Sequence, residues 1–155
     1  MKLKLSDWAS IAEIVSGAAV IVTLIILIIG VRDNTQTVRA SAYSENRNAM
    51  NSFQTEILTD QDALRVWDAY VTQETAELDQ LDRQRLTLIV LSFFRIYEDA
   101  YNLDQYGYLG DQEWQRFDRN ICFWFERARS ANISDVLQDT MTRGFFEYVS
   151  EACRN

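Results

Sequence analysis

Glu98, Asp99 and Glu126 are the residues with the best claim to chemistry, because they sit among aromatic residues in FFRIYEDAY and FWFER. A carboxyl desolvated by such neighbours holds its proton more tightly and can serve as a general acid or base near neutral pH. The simpler reading is an ion pair. Arg95 precedes Glu98 and Asp99 by one helical turn, and Arg119 and Arg127 are candidates from across a bundle. The chain has no His, which excludes Ser-His and Cys-His pairs, the HExxH zinc site and the Glu-x-x-His pair of di-iron bundles. A Gly-rich phosphate loop and an EF-hand loop are also missing from the sequence. These residues therefore predict a protein that is not an enzyme and assign no cofactor and no metal.

Tyr97, Glu98, Tyr101, Tyr106 and Trp114 surround the segment YGYLG and form a candidate pocket or docking surface. Packing in a core is the simpler explanation of them. Cys122 and Cys153 are the only cysteines. Two are too few for a disulfide scaffold and they lack a C-x-x-C spacing, so they read as two buried thiols.

The net charge is −8. Lys2, Lys4 and Arg32 against Asp7 and Glu13 leave +1 for the first 32 residues, so the remainder carries −9. A domain of that charge repels phosphate backbones and anionic headgroups, which argues against nucleic acid as a partner.

These residues need elements to hold them. Residues 14–31 read IVSGAAVIVTLIILIIGV, 18 residues without a charge. At 1.5 Å per residue such a helix covers the roughly 30 Å hydrocarbon core of a bilayer. The run ends in GVRDNTQ without a small-residue cleavage site, so it predicts an uncleaved transmembrane helix over residues 9–31, after a tail of residues 1–8. Trp8 and Glu13 then belong at the headgroup boundary. Ala9, Ala12, Ser16, Ala19, Thr23 and Gly30 recur at spacings that keep them on one face with Ile26, where close backbone approach favours self-association or a partner helix. Membrane lipid and a protein partner or second copy are the partners expected. Lys2 and Lys4 on one side against Arg32, Arg39 and Arg47 on the other leave orientation almost undetermined, with a slight preference for a cytoplasmic helical domain.

Pro is absent and Gly occurs only five times, so local preferences favour helix throughout and the fold class is all-α. Val38, Ala42, Ala49, Phe53 and Ile57 continue a helical period through residues 32–58, a stalk leading out of the membrane helix. Residues 59–155 form an acidic bundle of four or five helices. Thr59 with Asp62 suggests a capping box for a helix with Leu64, Trp67 and Val71 inward. Asp79 with Asp82 opens a central helix carrying Leu86, Val90, Phe93, Tyr97 and Tyr101. Gly107 and Gly110 supply the turn and Asp111 the next cap. A fourth helix turns Trp114, Phe117, Ile121, Trp124 and Phe125 inward, and a fifth, opened by Ser134, does so with Leu137, Met141, Phe145 and Val149.

The stretches SDWASIAEIV, VRDNTQTVRAS and FFRIYEDAYNLDQYGYLGDQEW, with the apolar run between the first two, resemble a group of small bacterial membrane proteins over nearly their full length. The group has no assigned activity. The resemblance implies a bacterial origin and a helical architecture, and it assigns no site residue; with the apolar run, the location expected is the bacterial inner membrane, crossed once. The function expected is that of a membrane-anchored interaction or scaffold protein, such as an accessory subunit of a membrane complex. The alternative is a ligand-binding sensor module that relays occupancy to the membrane helix.

Overall fold

The computed structural model describes the backbone of residues 5–154, with side chains at Glu13 and from Val15 onward. The tail with Lys2 and Lys4, and the side chains of Trp8, Ala9 and Ala12, lie outside the described residues. Six α-helices and one 3₁₀ turn (Thr75–Glu77) make up the described chain: α1 (Leu5–Thr59), α2 (Gln61–Thr72), α3 (Gln80–Gln105), α4 (Asp111–Ser130), α5 (Ser134–Thr140) and α6 (Arg143–Ala152). The all-α expectation holds, and no strand occurs among the described residues. The chain divides into two compact units between Ala40 and Ser41, inside the segment expected as a stalk.

The first unit is the part of α1 up to Ala40. It contains a window with a mean hydropathy of 2.4, long and apolar enough to cross a membrane, and none of that window is buried. Ser16, Ala19, Thr23, Ile26 and Gly30 are all exposed. The Thr23 hydroxyl donates to the Ala19 carbonyl at 2.9 Å, which satisfies it within its own helix.

In the second unit, α3 packs against α2, α4 and α6, while α4 also packs against α2, α5 and α6. One apolar cluster fills the interior. Phe53 and Ile57 enter it from α1, Val66 and Tyr70 from α2, Val90, Phe93, Phe94 and Tyr97 from α3, Ile121 and Phe125 from α4, and Leu137, Phe145 and Val149 from α5 and α6. The central helix follows its predicted period, and the Asp79 carboxylate caps it by accepting the Asp82 amide at 2.8 Å. Gly107 adopts a φ of 69° in the turn after α3, the left-handed geometry expected of it.

Four details depart from the sequence reading. The cap of α2 is Asp60, which accepts the amides of Asp62 and Ala63, because α1 runs on through Thr59. The buried face of α2 is Ala63, Val66 and Tyr70, one position away from Leu64, Trp67 and Val71, which are exposed or only half-buried. Gly110, not Asp111, is the residue before α4, and Asp111 lies inside the first turn, where a carboxylate still complements the helix dipole. The fifth helix is two helices, broken at Met141 and Thr142. Leu137, Met141, Phe145 and Val149 are nevertheless all buried, since both pieces press the same core.

Candidate functional site

Glu98 is buried, with 7 % exposure, but it is not in the expected ion pair with Arg95. Its Oε1 accepts the backbone N–H of Thr142 at 2.5 Å, at the break before α6. The amides at a helix start have no partner within the helix, so a carboxylate from α3 satisfies one of them from outside. Glu126 pairs locally with Arg129 at 2.8 Å. Arg127 donates Nε to the Val71 carbonyl at 2.9 Å, and its guanidinium lies 3.4 Å from the Phe123 ring centroid. Asp99 lies at the surface, where partial desolvation of its carboxyl, with the charge of Glu98 adding and Arg95 opposing, raises its affinity for a proton.

The residues of the candidate aromatic site separate. Tyr97 is buried, its ring 5.0 Å from Phe93 and 5.7 Å from Phe117, and burial pushes its phenol up to about 12. Tyr101 and Trp114 do meet, with ring centroids 6.0 Å apart, and Tyr148 closes their cluster while hydrogen-bonding Asp118. Tyr106 lies apart with 75 % exposure. Only Tyr97 of the five borders a cavity described below. Among the described residues, no three His, Cys, Asp or Glu side chains are grouped so as to hold a metal ion.

Three features escaped the sequence reading. The first is a bidentate pair across 17 residues: Arg65 donates Nη1 and Nη2 to the two oxygens of Asp82 at 2.7 Å each. Asp82 is buried, Arg85 adds a longer contact at 3.4 Å, and the Arg65 hydrogen bonds hold the Asp82 carboxyl below the usual carboxylate range. The second is the disulfide Cys122–Cys153, with Cα atoms 5.2 Å apart. It corrects the reading of two buried thiols. Packing of α6 on α4 brings together positions 31 residues apart, which spacing alone cannot reveal.

The third is a groove along residues 43–58 of α1. It consists of two adjoining cavities of about 240 and 450 Å³ that share Met50, Gln54, Phe93 and Trp124. Phe53, Trp67, Phe93 and Trp124 form its aromatic floor, with Phe93 5.4, 5.3 and 5.1 Å from Phe53, Trp67 and Trp124. Leu58 and Leu64 close one end, and Tyr43, Arg47 and Arg116 border the other, where Arg116 Nη1 donates to Tyr43 Oη at 3.3 Å. Four helices contribute to the lining, so no local motif announces it. No family model, curated protein or solved structure matches the chain.

Proposed function

We propose that the protein is a bacterial inner-membrane protein whose apolar span in α1 anchors a helical interaction or scaffold module for a protein partner. The observation that carries this reading is apolar surface left outside a core that is already filled. Leu58, Leu64, Leu81 and Leu88 are 69, 40, 63 and 65 % exposed. Leu58 and Leu64 border the groove on one side of the outer part of α1, and Leu88 borders a smaller groove with Ile57 and Ile89. The two grooves share Phe53 and Ile57, so Leu58, Leu64 and Leu88 flank one corner of the domain, and exposed apolar surface there serves association better than solubility.

The test is recovery of the tagged full-length protein in mild detergent. Wild type is expected to retain a stoichiometric protein, and a Leu58→Asp, Leu88→Asp variant that keeps its helical circular dichroism is expected to lose it. Equal recovery by both removes the leucine corner as the docking surface.

A second reading, a ligand-binding module, is favoured by the aromatic groove with two arginines at its end. Cys122 and Cys153 support one orientation of the module, because a bonded pair persists in an oxidising compartment. This favours the helical unit on the outer side of the inner membrane, against the slight cytoplasmic preference drawn from Lys and Arg counts.

A further inference from the structure

We propose that the groove along α1 binds an anionic amphiphile of the fatty-acid type, with its carboxylate between Arg47 and Arg116 and its hydrocarbon over Phe93, Trp124 and Trp67. This rests on the ligand-binding reading and names the ligand class for it.

Charge selects the head group. The chain beyond residue 32 carries −9, yet neither cavity of the groove is lined by Asp or Glu, and its only charged residues are Arg47 and Arg116. Neither arginine belongs to an ion pair among the described residues. The neighbouring groove, which shares Phe53 and Ile57, is different, with Glu56, Asp60 and Arg85 in its lining. Two permanently charged guanidiniums facing one cavity without a counter-ion repel each other, and a carboxylate between them relieves that repulsion through forked hydrogen bonds.

Shape and polarity select the tail. Beyond Gln54, the narrower cavity is lined entirely by apolar and aromatic side chains, ending at Leu58 and Leu64. Such a lining offers almost nothing to a polar group and suits methylenes. From Arg47 to Leu58 the helix advances by about 16 Å at 1.5 Å per residue, a length that a medium saturated chain spans when extended. A ligand charged at one end and apolar along the rest matches this one-ended distribution better than a peptide, whose polar groups recur along its length.

The experiment uses the full chain in phosphatidylcholine nanodiscs and two photoreactive probes of equal length, a dodecanoic acid and the corresponding alcohol, each carrying a diazirine. Crosslinked peptides are mapped by mass spectrometry. The acid is expected to label residues 43–67 and 116–124 saturably. Labelling should fall by about tenfold, the equivalent of one charge-assisted hydrogen bond, in Arg47→Ala and in Arg116→Ala. Both residues are exposed, so each variant is expected to keep wild-type circular dichroism. Saturable labelling by the alcohol as strong as by the acid overturns the anionic assignment while leaving a ligand-binding groove. Labelling confined to residues 14–31, or none that saturates, overturns both. Displacement of the probe by the protein retained in the pull-down, but not by unlabelled dodecanoate, overturns the proposal in favour of a protein occupant.

Discussion

The Glu98 carboxylate has one identified partner, the Thr142 amide, and that engagement gives it a structural role that needs no reaction. Glu98→Leu removes the acceptor and leaves the amide unpaired, so it is expected to lower unfolding free energy by about 1–3 kcal/mol. Glu98→Gln keeps an oxygen acceptor and should cost less. Urea denaturation checks the order, and a Gln variant at least as damaging as the Leu variant would remove the cap as the reason for burying this residue. Gln73 poses a different problem. It ends α2 with a φ of 65°, where its N–H reaches the Ala69 carbonyl, and a side chain with a Cβ is disfavoured there. Gln73→Gly is expected to raise stability by about 0.5–1 kcal/mol in the same assay, glycine's greater freedom in the unfolded chain offsetting part of the relief. Asn132, at a φ of 58°, gains less from the same change because Asn tolerates this region. Legibility at this scale stopped at contacts close in sequence. Asp79 was readable as a cap because its partner lies three residues on, whereas the partner of Glu98 lies 44 residues away at a helix break between residues that keep the core spacing.

Among the links between elements, two differ most in chemistry. Arg65 and Asp82 join α2 to α3, and Cys122 and Cys153 join α4 to the end of α6. The carboxyl of Asp82 is held low chiefly by the Arg65 hydrogen bonds, so its stabilisation is complete above the ordinary Asp pKa of about 3.9 and is lost as pH falls through its lowered value. Asp99 and Asp104 are shifted the other way, both mainly by burial. For them the folded state prefers the proton, so they cost stability above their raised values and that cost is relieved as pH falls through those values toward the ordinary Asp pKa of about 3.9. Stability measured by urea midpoint against pH is therefore expected to rise as pH falls through the raised values of Asp99 and Asp104 toward the ordinary Asp pKa of about 3.9 and then to fall, with Asp82→Asn removing the steep acid limb. A monotonic decline from pH 7 would contradict the assignment of Asp99 and Asp104. The disulfide closes a loop of 31 residues. Chain-entropy arguments give about 3–4 kcal/mol for such a loop, so Cys122→Ser with Cys153→Ser should lose that much in thermal or urea unfolding. The period-based reading found α3 entire and merged α5 with α6, because Leu137, Met141, Phe145 and Val149 keep a four-residue spacing across the break. Buried spacing reports which residues face the core, and it does not report whether the backbone between them stays helical.

At the scale of the whole molecule, the apolar run of residues 14–31 made one membrane-compatible helix legible from sequence, because length and hydropathy are local quantities. The groove was not legible, since Met50, Trp67, Phe93 and Trp124 come from four helices and each also reads as ordinary core. Orientation falls between these cases. Counting Lys and Arg gave two against three, a margin too small to act on, while the Cys122–Cys153 pair supplies an independent chemical argument for an oxidising environment. The two arguments make opposite predictions for a phosphatase fused after Asn155, an enzyme that is active only where its own disulfides form. The fusion is expected to be active in intact bacteria, while a fluorescent protein that matures only in the cytoplasm should stay dark at the same site. Thiol labelling of the unfolded protein, trapped with acid before lysis, should find Cys122 and Cys153 blocked until a reductant is added. A dark phosphatase fusion with both thiols free would return the helical unit to the cytoplasm, where the two sulfurs stay reduced and α4 and α6 are held together by packing and the Tyr148–Asp118 hydrogen bond.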